Sequence, residues 1–337
     1  MQGASVSKRA RPTLNEVARL AKVSPATVSR ALNNPELVAE ATSTRVHAAV
    51  RKTGYVPNLL AGGLASNRSR LVAVIVPALA RSIFNEMIEA MTERLMAARY
   101  QVMLSLSGYE DENMPAIVDA VLARRPEGII LTGTLTDPVL RQKLVSTGAA
   151  IIETRHLPRE PIDFAVGFSH HAIGVAVAKA LHESGRSKPL VISPDSARAM
   201  DRQNGFIQAM SRYGVRRVSS ITLPIPSSIG QGRAALGEFL DNGGKPDCVM
   251  CGSDWQALGV LLEAQVRGIR VPEDLAVFGF GNMDFAESTE PSLSTVHIDG
   301  RKIGAEAARI LVDRAAGLPH SPKVMDVGFS VIRRASA

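Results

Sequence analysis

Four polar side chains lie along one face of a short predicted helix, and their chemistry suits base edges and phosphates. They are Thr27, Ser29, Arg30 and Asn33. The guanidinium of Arg30 is a fork-shaped donor that matches the paired acceptors of guanine, and the smaller polar groups suit phosphate oxygens. This set predicts contacts to duplex DNA, provided that another element holds the helix in the major groove.

Residues 13–34 predict the two helices and the turn that would position these groups. Thr13 followed by Glu16 is a capping box, which indicates the start of the first helix. Ser24 followed by Pro25 indicates the start of the second, because proline at the first helical position loses no hydrogen bond. The apolar residues at helical spacing are Leu14, Val17, Ala18, Ala21, Val28, Ala31 and Leu32. An ordinary helical hairpin is the alternative to a helix-turn-helix.

The stretch TLNEVARLAKVSPATVSRALN resembles the headpiece signature of the LacI/GalR repressor family, T-L-x-[DE]-V-A-x-x-A-x-V-S-x-x-T-V-S-R-x-L-N. One departure is Lys22, where the family usually has glycine, and a left-handed lysine there carries about 1 kcal/mol of strain. The resemblance implies a DNA-binding transcriptional regulator, a repressor that binds palindromic operator half-sites as a homodimer.

The charge of the chain is concentrated at its N-terminal end. The net charge is +7, and residues 1–70 hold eleven Lys and Arg against three acids, which leaves −1 for the rest. A basic segment on a near-neutral body is typical of a duplex DNA binder. Aromatic residues make up only 4% of the chain, which argues against a single-strand binder that stacks bases.

Two cysteines and the hydropathy pattern limit the remaining classes. Cys248 and Cys251 form a C-x-x-C pair, which occurs in zinc sites and redox motifs, but the pair lies in a predicted buried strand and is better explained as two core thiols. The chain lacks an apolar stretch of membrane-spanning length and the apolar core of a signal peptide. We therefore expect a cytoplasmic, nucleoid-associated protein without a membrane partner.

A third helix is predicted from about Thr42 to Thr53, and the YVPNLLAGGLA that follows resembles the family's hinge. The resemblance implies that Leu64 wedges into the minor groove at the operator centre, while Ala61 lets two hinge helices approach. A plain linker is the alternative. The resemblance also implies that Pro25 and Ala26 read base pairs by shape. The candidate DNA-binding residues are Thr13, Leu14, Pro25, Ala26, Thr27, Ser29, Arg30, Asn33, Asn58, Ala61 and Leu64.

From Leu71 onward, short apolar runs alternate with helical segments, which predicts parallel sheets covered on both faces. The predicted strands are Leu71–Val76, Val102–Leu106, Gly128–Leu131, Ala150–Glu153, Phe164–Gly167, Leu190–Ser193, Ser219–Leu223, Cys248–Cys251, Leu275–Gly279 and Thr295–Ile298. Ten strands exceed a comfortable single sheet. With the family resemblance, the expected fold is a small all-α helix-turn-helix headpiece plus an α/β periplasmic-binding-protein-like body of two doubly wound parallel-sheet subdomains.

The expected organisation follows from these elements and from the resemblance, which implies three crossings between lobes, placed near Phe168, His297 and Pro322. The parts are a flexible tail at 1–11, the headpiece at 12–56, a hinge helix and linker at 57–70, and an effector-binding and dimerisation domain at 71–337, with an N-lobe of about 71–167 and 297–321 and a C-lobe of about 168–296 and 322–337.

Ligands of open α/β lobes bind beyond the carboxyl ends of the strands, so the strand-to-helix turns hold the candidates. Residues 202–206 (RQNGF) resemble the family's R-x-x-G-[FW] element, whose arginine reaches the effector. A surface arginine is the alternative for Arg202. For His156, His170 and His171, a surface position is the alternative to a ligand contact, and we favour the surface position. The candidate effector-binding residues are Ser82, Phe84, Arg155, Phe168, Arg202, Ser253, Asp254 and Asn282. For Asp254, holding its turn is the alternative to contacting the ligand.

The effector class rests on one departure from the family. Sugar-binding members usually carry an aspartate where this chain has Gly281 followed by Asn282. A missing carboxylate beside a retained Arg202 favours an anion, because like charge would repel it. The segments AVGFSHHAIG and MDVGFSVIRRAS also resemble the gluconate-utilisation branch. The expected effector is a small sugar acid (gluconate, a keto-gluconate or a phosphorylated relative), and a neutral sugar is the alternative.

Two other classes of protein share part of this pattern. An enzyme on a doubly wound scaffold would need a functional motif, and the chain lacks a G-x-G-x-x-G after its first strand, a Walker loop and a G-x-S-x-G elbow. A transport-type, non-enzymatic sugar-binding protein would need a signal peptide and no basic headpiece. The sequence therefore predicts no catalysis, no cofactor and no metal.

Overall fold

The computed structural model describes residues 12–56, 69–79, 84–109, 113–133, 135–319 and 322–337. The chain divides into two compact units with the boundary between Ser69 and Arg70, called here the headpiece and the body. The predicted tail at 1–11 and the hinge residues 57–68 lie outside the described residues.

The described part of the headpiece contains three α-helices, and local sequence signals start and stop them. The elements are α1 Leu14–Ala21, α2 Pro25–Asn33, a 3₁₀ turn at Pro35–Leu37 and α3 Glu40–Thr53. The predicted capping box forms, since the Thr13 N–H donates to the Glu16 carboxylate at 2.8 Å and the Glu16 N–H to the Thr13 hydroxyl at 3.3 Å. Helix α3 begins two residues earlier than predicted and ends at Gly54, which has φ 67°.

The core of the headpiece is made of the small apolar residues that the helical spacing predicts. Its buried members are Val17, Ala18, Ala21, Val28, Ala31, Val46 and Ala49. Leu14 and Leu32 are partly buried and pack against them. Lys22 occupies the turn in the left-handed conformation, at φ 55°, so the departure from glycine is accommodated there.

The described residues of the body form three sheets. Its strands are β1 Leu71–Val76, β2 Gln101–Leu106, β3 Gly128–Thr132, β4 Ala150–Thr154, β5 Phe164–Gly167, β6 Pro189–Pro194, β7 Ser219–Leu223, β8 Cys248–Cys251, β9 Ala276–Phe278, β10 Thr295–His297, β11 Val324–Asp326 and β12 Ser330–Ile332. A six-stranded parallel sheet has the order β11-β5-β4-β3-β1-β2 and a four-stranded one the order β7-β6-β8-β9. Strands β10 and β12 form an antiparallel pair. We call the parts built on the two parallel sheets the first and the second lobe.

Helices cover these sheets and carry the polar side chains discussed below. They are α4 Phe84–Ala97, α5 Met114–Leu122, α6 Pro138–Val145, α7 His170–Glu183, α8 Ala197–Arg212, α9 Ile229–Asp241, α10 Asp254–Val266 and α11 Gly300–Ala315. Helices α7 and α8 pack against each other. A Cβ atom at Gly174 would overlap the backbone of Arg202, and one at Gly205 would overlap the backbone of His171, so these glycines permit the close approach.

All ten predicted strands form, with ends within one residue of the prediction. The prediction that the chain leaves the first lobe for the last time near Pro322 is wrong. Strand β11 pairs in parallel with β5, so the first lobe extends to Asp326. Neither β11 nor β12 was predicted, because each has three residues, none of them fully buried, and lacks a continuous apolar run.

The two cysteines lie at opposite ends of β8 and are fully buried. They pack in different apolar clusters, and neither forms a disulfide. Burial raises the pKa of both thiols, which keeps them protonated. The prediction of two core thiols is confirmed. No helix among the described residues combines the length and the apolar character needed to cross a membrane.

Candidate functional site

Helix α2 presents an exposed and chemically varied face. Pro25, Ala26 and Arg30 are exposed, and Thr27 and Ser29 are partly exposed. Arg30 has no ion pair or hydrogen bond with any residue that the structure describes, so its guanidinium is available to a partner. The Ser24 hydroxyl accepts the Thr27 N–H at 3.1 Å and lies 2.9 Å from the Thr27 hydroxyl. The cap therefore orients Thr27 at the start of the helix.

The remaining predicted DNA-binding residues have different surroundings. The Thr13 hydroxyl is occupied by the capping box, and Leu14 packs against the headpiece core. Asn33 is the last residue of α2. The predicted hinge contacts lie outside the described residues: Asn58, Ala61 and Leu64.

The body contains a cavity of about 680 Å³ between its two lobes. Its lining comes from the turns that follow the strands of both parallel sheets, where the rule for open α/β sheets places ligands. Of the predicted effector-binding residues, the lining includes Arg155, Arg202, Ser253 and Asp254. The volume lies within the range typical of small-molecule sites.

Arg202 of α8 is the most completely positioned polar group of the cavity. It is 5% exposed; Nη1 donates to His170 Nδ1 at 2.9 Å, and Nη2 donates to the carbonyl of Gly252 at 3.0 Å. The guanidinium lies over the Phe280 ring, 3.9 Å from its centroid, as in a cation–π contact. The buried Nε has no hydrogen-bond partner among the described residues, so the fork keeps donor capacity for a ligand.

Two further arginines line the same cavity. Arg155 follows β4 with φ 65°, a left-handed conformation that is uncommon for a non-glycine residue. Arg198 precedes Arg202 by one helical turn and lines the cavity beside Gly133. A Cβ atom at Gly133, which has φ 116°, would overlap the Arg198 guanidinium. The glycine therefore permits contact between the end of β3 and the start of α8.

The electrostatics of this cluster favour an anion. Burial and the Arg198 charge lower the pKa of Arg202 to about 9, with Asp201 opposing the shift. Burial also lowers the pKa of Arg198, and burial together with the other two arginines lowers that of Arg155. Among the described residues, neither Arg198 nor Arg202 has a carboxylate within salt-bridge distance. An anion placed here would relieve the repulsion among the arginines.

Asp254 is part of the cavity lining, but its carboxylate is bonded to other residues of the protein. Its carboxylate accepts the Met283 N–H at 2.7 Å and the Thr295 hydroxyl at 2.6 Å, and the residue is fully buried. The bond to Met283 joins the start of α10 to the turn after β9, in agreement with the alternative that Asp254 holds a turn and does not bind the ligand. Ser253 is the N-cap of α10 and accepts the Gln256 N–H at 3.3 Å.

Two predicted effector residues are not in the cavity lining. Phe168 is fully buried and supports the site from behind, with its ring 4.7 Å from that of His170 and 6.5 Å from that of Phe280. The Asn282 amide is used inside the second lobe, where its oxygen accepts from Arg334 at 2.9 Å. Ser82 lies outside the described residues, and Phe84 is the first residue of α4.

Arg198 lines the cavity although it was not predicted from the sequence, and His170 is buried where a surface position was favoured. His170 is 1% exposed and bonded on both ring nitrogens, so its prediction as a surface residue is wrong. Arg198 lies four residues before Arg202 on the same helix, and this i, i+4 spacing was the available signal. The turn after β6 had not been considered, although the strand-end rule includes it.

Comparison with known families gives two matches. Residues 13–58 match the family described as bacterial regulatory proteins, lacI family. Residues 178–337 match the periplasmic binding protein-like domain. The two matches fall in the headpiece region and in the body, respectively.

Individual relatives extend these matches over nearly the whole chain. The chain is 35% identical to the HTH-type transcriptional regulator GntR of Pseudomonas aeruginosa, over 97% of this chain and 96% of the relative. It is 30% identical to the HTH-type transcriptional repressor CytR of Escherichia coli K12, over 90% of each. The crystal structure of a LacI-family transcriptional regulator from Silicibacter pomeroyi superposes with a TM-score of 0.90 at 28% identity, covering 96% of this chain and 99% of the other.

Proposed function

Because the chain belongs to the LacI family of DNA-binding transcriptional regulators, we propose that it is a repressor whose operator affinity is set by a small sugar acid. The acid binds in the body cavity with its carboxylate on Arg202. The protein acts as a homodimer on a palindromic operator, in the cytoplasm and on the nucleoid. Gluconate or a keto-gluconate is the proposed effector. The protein is a regulator and not an enzyme.

One observation carries the effector class: Arg202 and Arg198 line the cavity, Arg202 is buried, and neither has a carboxylate within salt-bridge distance among the described residues. A buried guanidinium needs a compensating charge, and a carboxylate matches its fork with two parallel hydrogen bonds. A polyol chain of six carbons also fits a cavity of about 680 Å³. The resemblance to the gluconate-utilisation branch and the similarity to regulators named GntR support the same class.

On the DNA side, we propose that α2 is the recognition helix. Arg30 would contact a guanine edge, Pro25 and Ala26 would read shape and thymine methyl groups, and the small polar residues would contact phosphates. Exposure of the face of α2 supports this assignment. The domain boundaries proposed from the sequence remain proposals, with the first lobe extended to Asp326 as described above.

Effector and operator would be coupled by a change in the angle between the two lobes. The cavity takes its lining from both lobes, so a ligand that contacts both stabilises one arrangement over the other. Coupling in such systems typically amounts to about 1–3 kcal/mol, or roughly 5–150-fold in affinity. For a catabolic repressor we propose induction, in which the arrangement with bound acid has the lower operator affinity.

The experiment compares D-gluconate with D-glucitol, which has the same carbon chain and a hydroxymethyl group in place of the carboxylate. Isothermal titration calorimetry on the full-length protein should show saturable binding of gluconate and none of glucitol. An operator selected from random duplex DNA should then bind less tightly when gluconate is present, as measured by fluorescence anisotropy. Binding of glucitol or glucose, with no effect of any sugar acid, would overturn the effector class.

A neutral sugar is the second candidate, and the aromatic residues of the cavity favour it. Tyr109, Trp255 and Phe280 are part of the lining, and aromatic side chains are common in sites that bind apolar faces of ligands. The same titration decides between the two candidates, because a neutral ligand would bind without the carboxylate.

A further inference from the structure

His170 lies where the chain passes from the first lobe to the second. It follows β5 and is the first residue of α7, and only 1% of it is exposed. Two phenylalanines flank its ring, with centroids at 4.7 Å for Phe168 and 6.3 Å for Phe280. Since Phe280 also lies against Arg202, the same ring supports both members of the His170–Arg202 pair.

The hydrogen bonds of His170 require one tautomer. Arg202 can only donate, so Nδ1, 2.9 Å from Nη1, must accept. The carbonyl of Arg155 can only accept, so Nε2, 3.0 Å away, must carry the proton. The ring is therefore neutral, with its hydrogen on Nε2. Neither nitrogen has an alternative role while both bonds are present.

The neighbouring charges keep the ring neutral. Burial is the largest cause that lowers the pKa of His170, followed by the charges of Arg202, Arg155 and Arg198. Only the hydrogen bond to the Arg155 carbonyl acts in the opposite direction. A proton on Nδ1 would remove the acceptor for Arg202 and place two cations in contact. The bond is therefore insensitive to pH across the neutral range.

The hydrogen bonds Arg202–His170–Arg155 form a chain, called here the relay, whose two ends belong to different lobes. Arg155 follows β4 of the first lobe, and its own N–H is fixed by the carbonyl of Val166 at 2.9 Å. Its left-handed backbone, at φ 65°, is a strained conformation that the surroundings must hold. Arg202 lies in the second lobe, where its other bond goes to Gly252. A shift of the Arg202 guanidinium therefore acts through His170 on a strained peptide of the first lobe.

We propose that His170 is a positioning residue that transmits the occupancy of Arg202 to the first lobe through the carbonyl of Arg155. The identity of the ligand rests on the proposed function, whereas the relay rests on the hydrogen bonds that join Arg202, His170 and Arg155. His170 also lines the cavity, but both of its ring nitrogens are already bonded, one to Arg202 and one to the carbonyl of Arg155. Its contribution is therefore to orientation and coupling.

The test measures a coupling factor, the ratio of operator dissociation constants with and without saturating D-gluconate. His170→Phe fills the same space but lacks both bonds, and its coupling factor should fall by about tenfold or to unity, as expected for the loss of a buried partner. His170→Gln keeps one acceptor and one donor and should restore most of the coupling. The matched control is His171→Phe, because His171 bonds to Gln208 at the surface and should keep the wild-type ratio.

The outcomes separate this proposal from the proposed function. Wild-type coupling in His170→Phe would overturn the relay while leaving the sugar-acid effector in place. A fall in thermal midpoint with unchanged coupling would assign His170 a structural role only, which also overturns it. If gluconate fails to bind the wild type, the effector class is overturned. The relay is then tested by a second measurement, made on the protein without ligand.

The second measurement is the ¹⁵N NMR spectrum of the His170 imidazole in the protein without ligand. The relay requires the Nε2–H tautomer, with shifts that do not change between about pH 5 and pH 8, the range in which an ordinary histidine titrates. An Nδ1–H tautomer or a titrating ring would overturn the proposal whichever ligand binds. His170→Gln also covers the possibility that the phenylalanine variant does not fold, since it preserves both hydrogen-bonding functions.

Discussion

Two arginines, Arg30 of the headpiece and Arg202 of the body, show two ways of preparing a guanidinium for an anionic or polar partner. Arg30 is exposed and makes no hydrogen bond or ion pair with any described residue. Arg202 is 5% exposed and is held by His170, Gly252 and the Phe280 ring. The first guanidinium keeps its donors free of described neighbours, and the second is already held in one orientation by its neighbours.

The difference predicts how mutations in the two regions combine. A surface side chain without partners can be replaced with little effect on its neighbours, and such effects are usually additive. Arg202 belongs to a network that includes His170 and the backbone of Arg155, so changes within that network should be coupled. Binding at the headpiece should therefore depend on individual contacts, whereas binding in the cavity depends on the whole network.

The largest expected effect is that of replacing Arg202, the buried arginine. Arg202→Met should weaken gluconate binding by about 2–5 kcal/mol, at least about thirtyfold, because the ligand carboxylate is then buried without its charge partner. Operator affinity without ligand should not change. Calorimetry and fluorescence anisotropy measure the two quantities. Arg212→Met, at the exposed end of the same helix, is the control and should bind gluconate normally. Normal binding by the Arg202 variant would place the ligand elsewhere.

The next largest effect is expected from replacing Arg30, the exposed arginine of α2. Arg30→Ala should weaken operator binding by about 1–3 kcal/mol and relax the preference at one base pair. Gluconate binding should stay the same, since the change lies in the headpiece. A binding assay over all single-base variants of the operator measures the preference. Arg51→Ala, an exposed position of α3, should leave the preference at every base pair unchanged. A uniform loss in the Arg30 variant would make this residue a phosphate contact.

A smaller effect tests whether the headpiece behaves as a unit of its own. Ser24→Ala removes the cap of α2 and should lower the stability of that helix by about 1 kcal/mol. Hydrogen exchange of the full-length protein should show faster exchange in α2 and unchanged exchange in α8. Ser196 caps α8 in the same way, accepting the Ala199 N–H at 3.3 Å, so Ser196→Ala should give the opposite pattern. Faster exchange in both helices from either variant would contradict the division.

The smallest effect concerns the wall of the cavity. Burial raises the pKa of Asp254 above its ordinary value of 3.8, against the hydrogen bonds from Thr295 and Met283. The folded carboxyl then binds a proton more readily than the unfolded one, so its contribution to stability is greatest below pH 3.8 and falls as the pH rises through the folded pKa. Asp254→Asn keeps the acceptor for Met283 and removes this pH dependence.

Urea unfolding of the wild type and the Asp254→Asn variant at several pH values measures that contribution. The free energy of unfolding of the wild type should decline relative to the variant as the pH rises above 3.8 and through the raised pKa of the folded carboxyl. A difference that is independent of pH would show that the turn is held by hydrogen-bond geometry alone. In either case the headpiece should retain its operator preference.

Local sequence signals predicted the three described helices of the headpiece and ten of the twelve described strands of the body. The capping box of Thr13 and Glu16, the cap at Ser24 and the apolar spacing of α1 and α2 act within one or two helical turns, so they predict the headpiece directly. The apolar runs of the body predicted all ten of its longer or more buried strands. Strand β11 was not predicted from the sequence, because its only clear feature is its pairing with β5.

The sequence by itself determined the fold class, the helices of the headpiece and the family, because those depend on periodicity, capping and a long motif. It also singled out Arg202, which belongs to a motif and lines the cavity. Only the tertiary structure decided which side chains meet Arg202: it brought in His170 and Arg198, left Phe168 behind the cavity and engaged Asn282 with Arg334. The bonds of His170 to Arg202 and of Arg334 to Asn282 join residues far apart in the chain, and they are set by how helices and sheets pack, which no local pattern encodes.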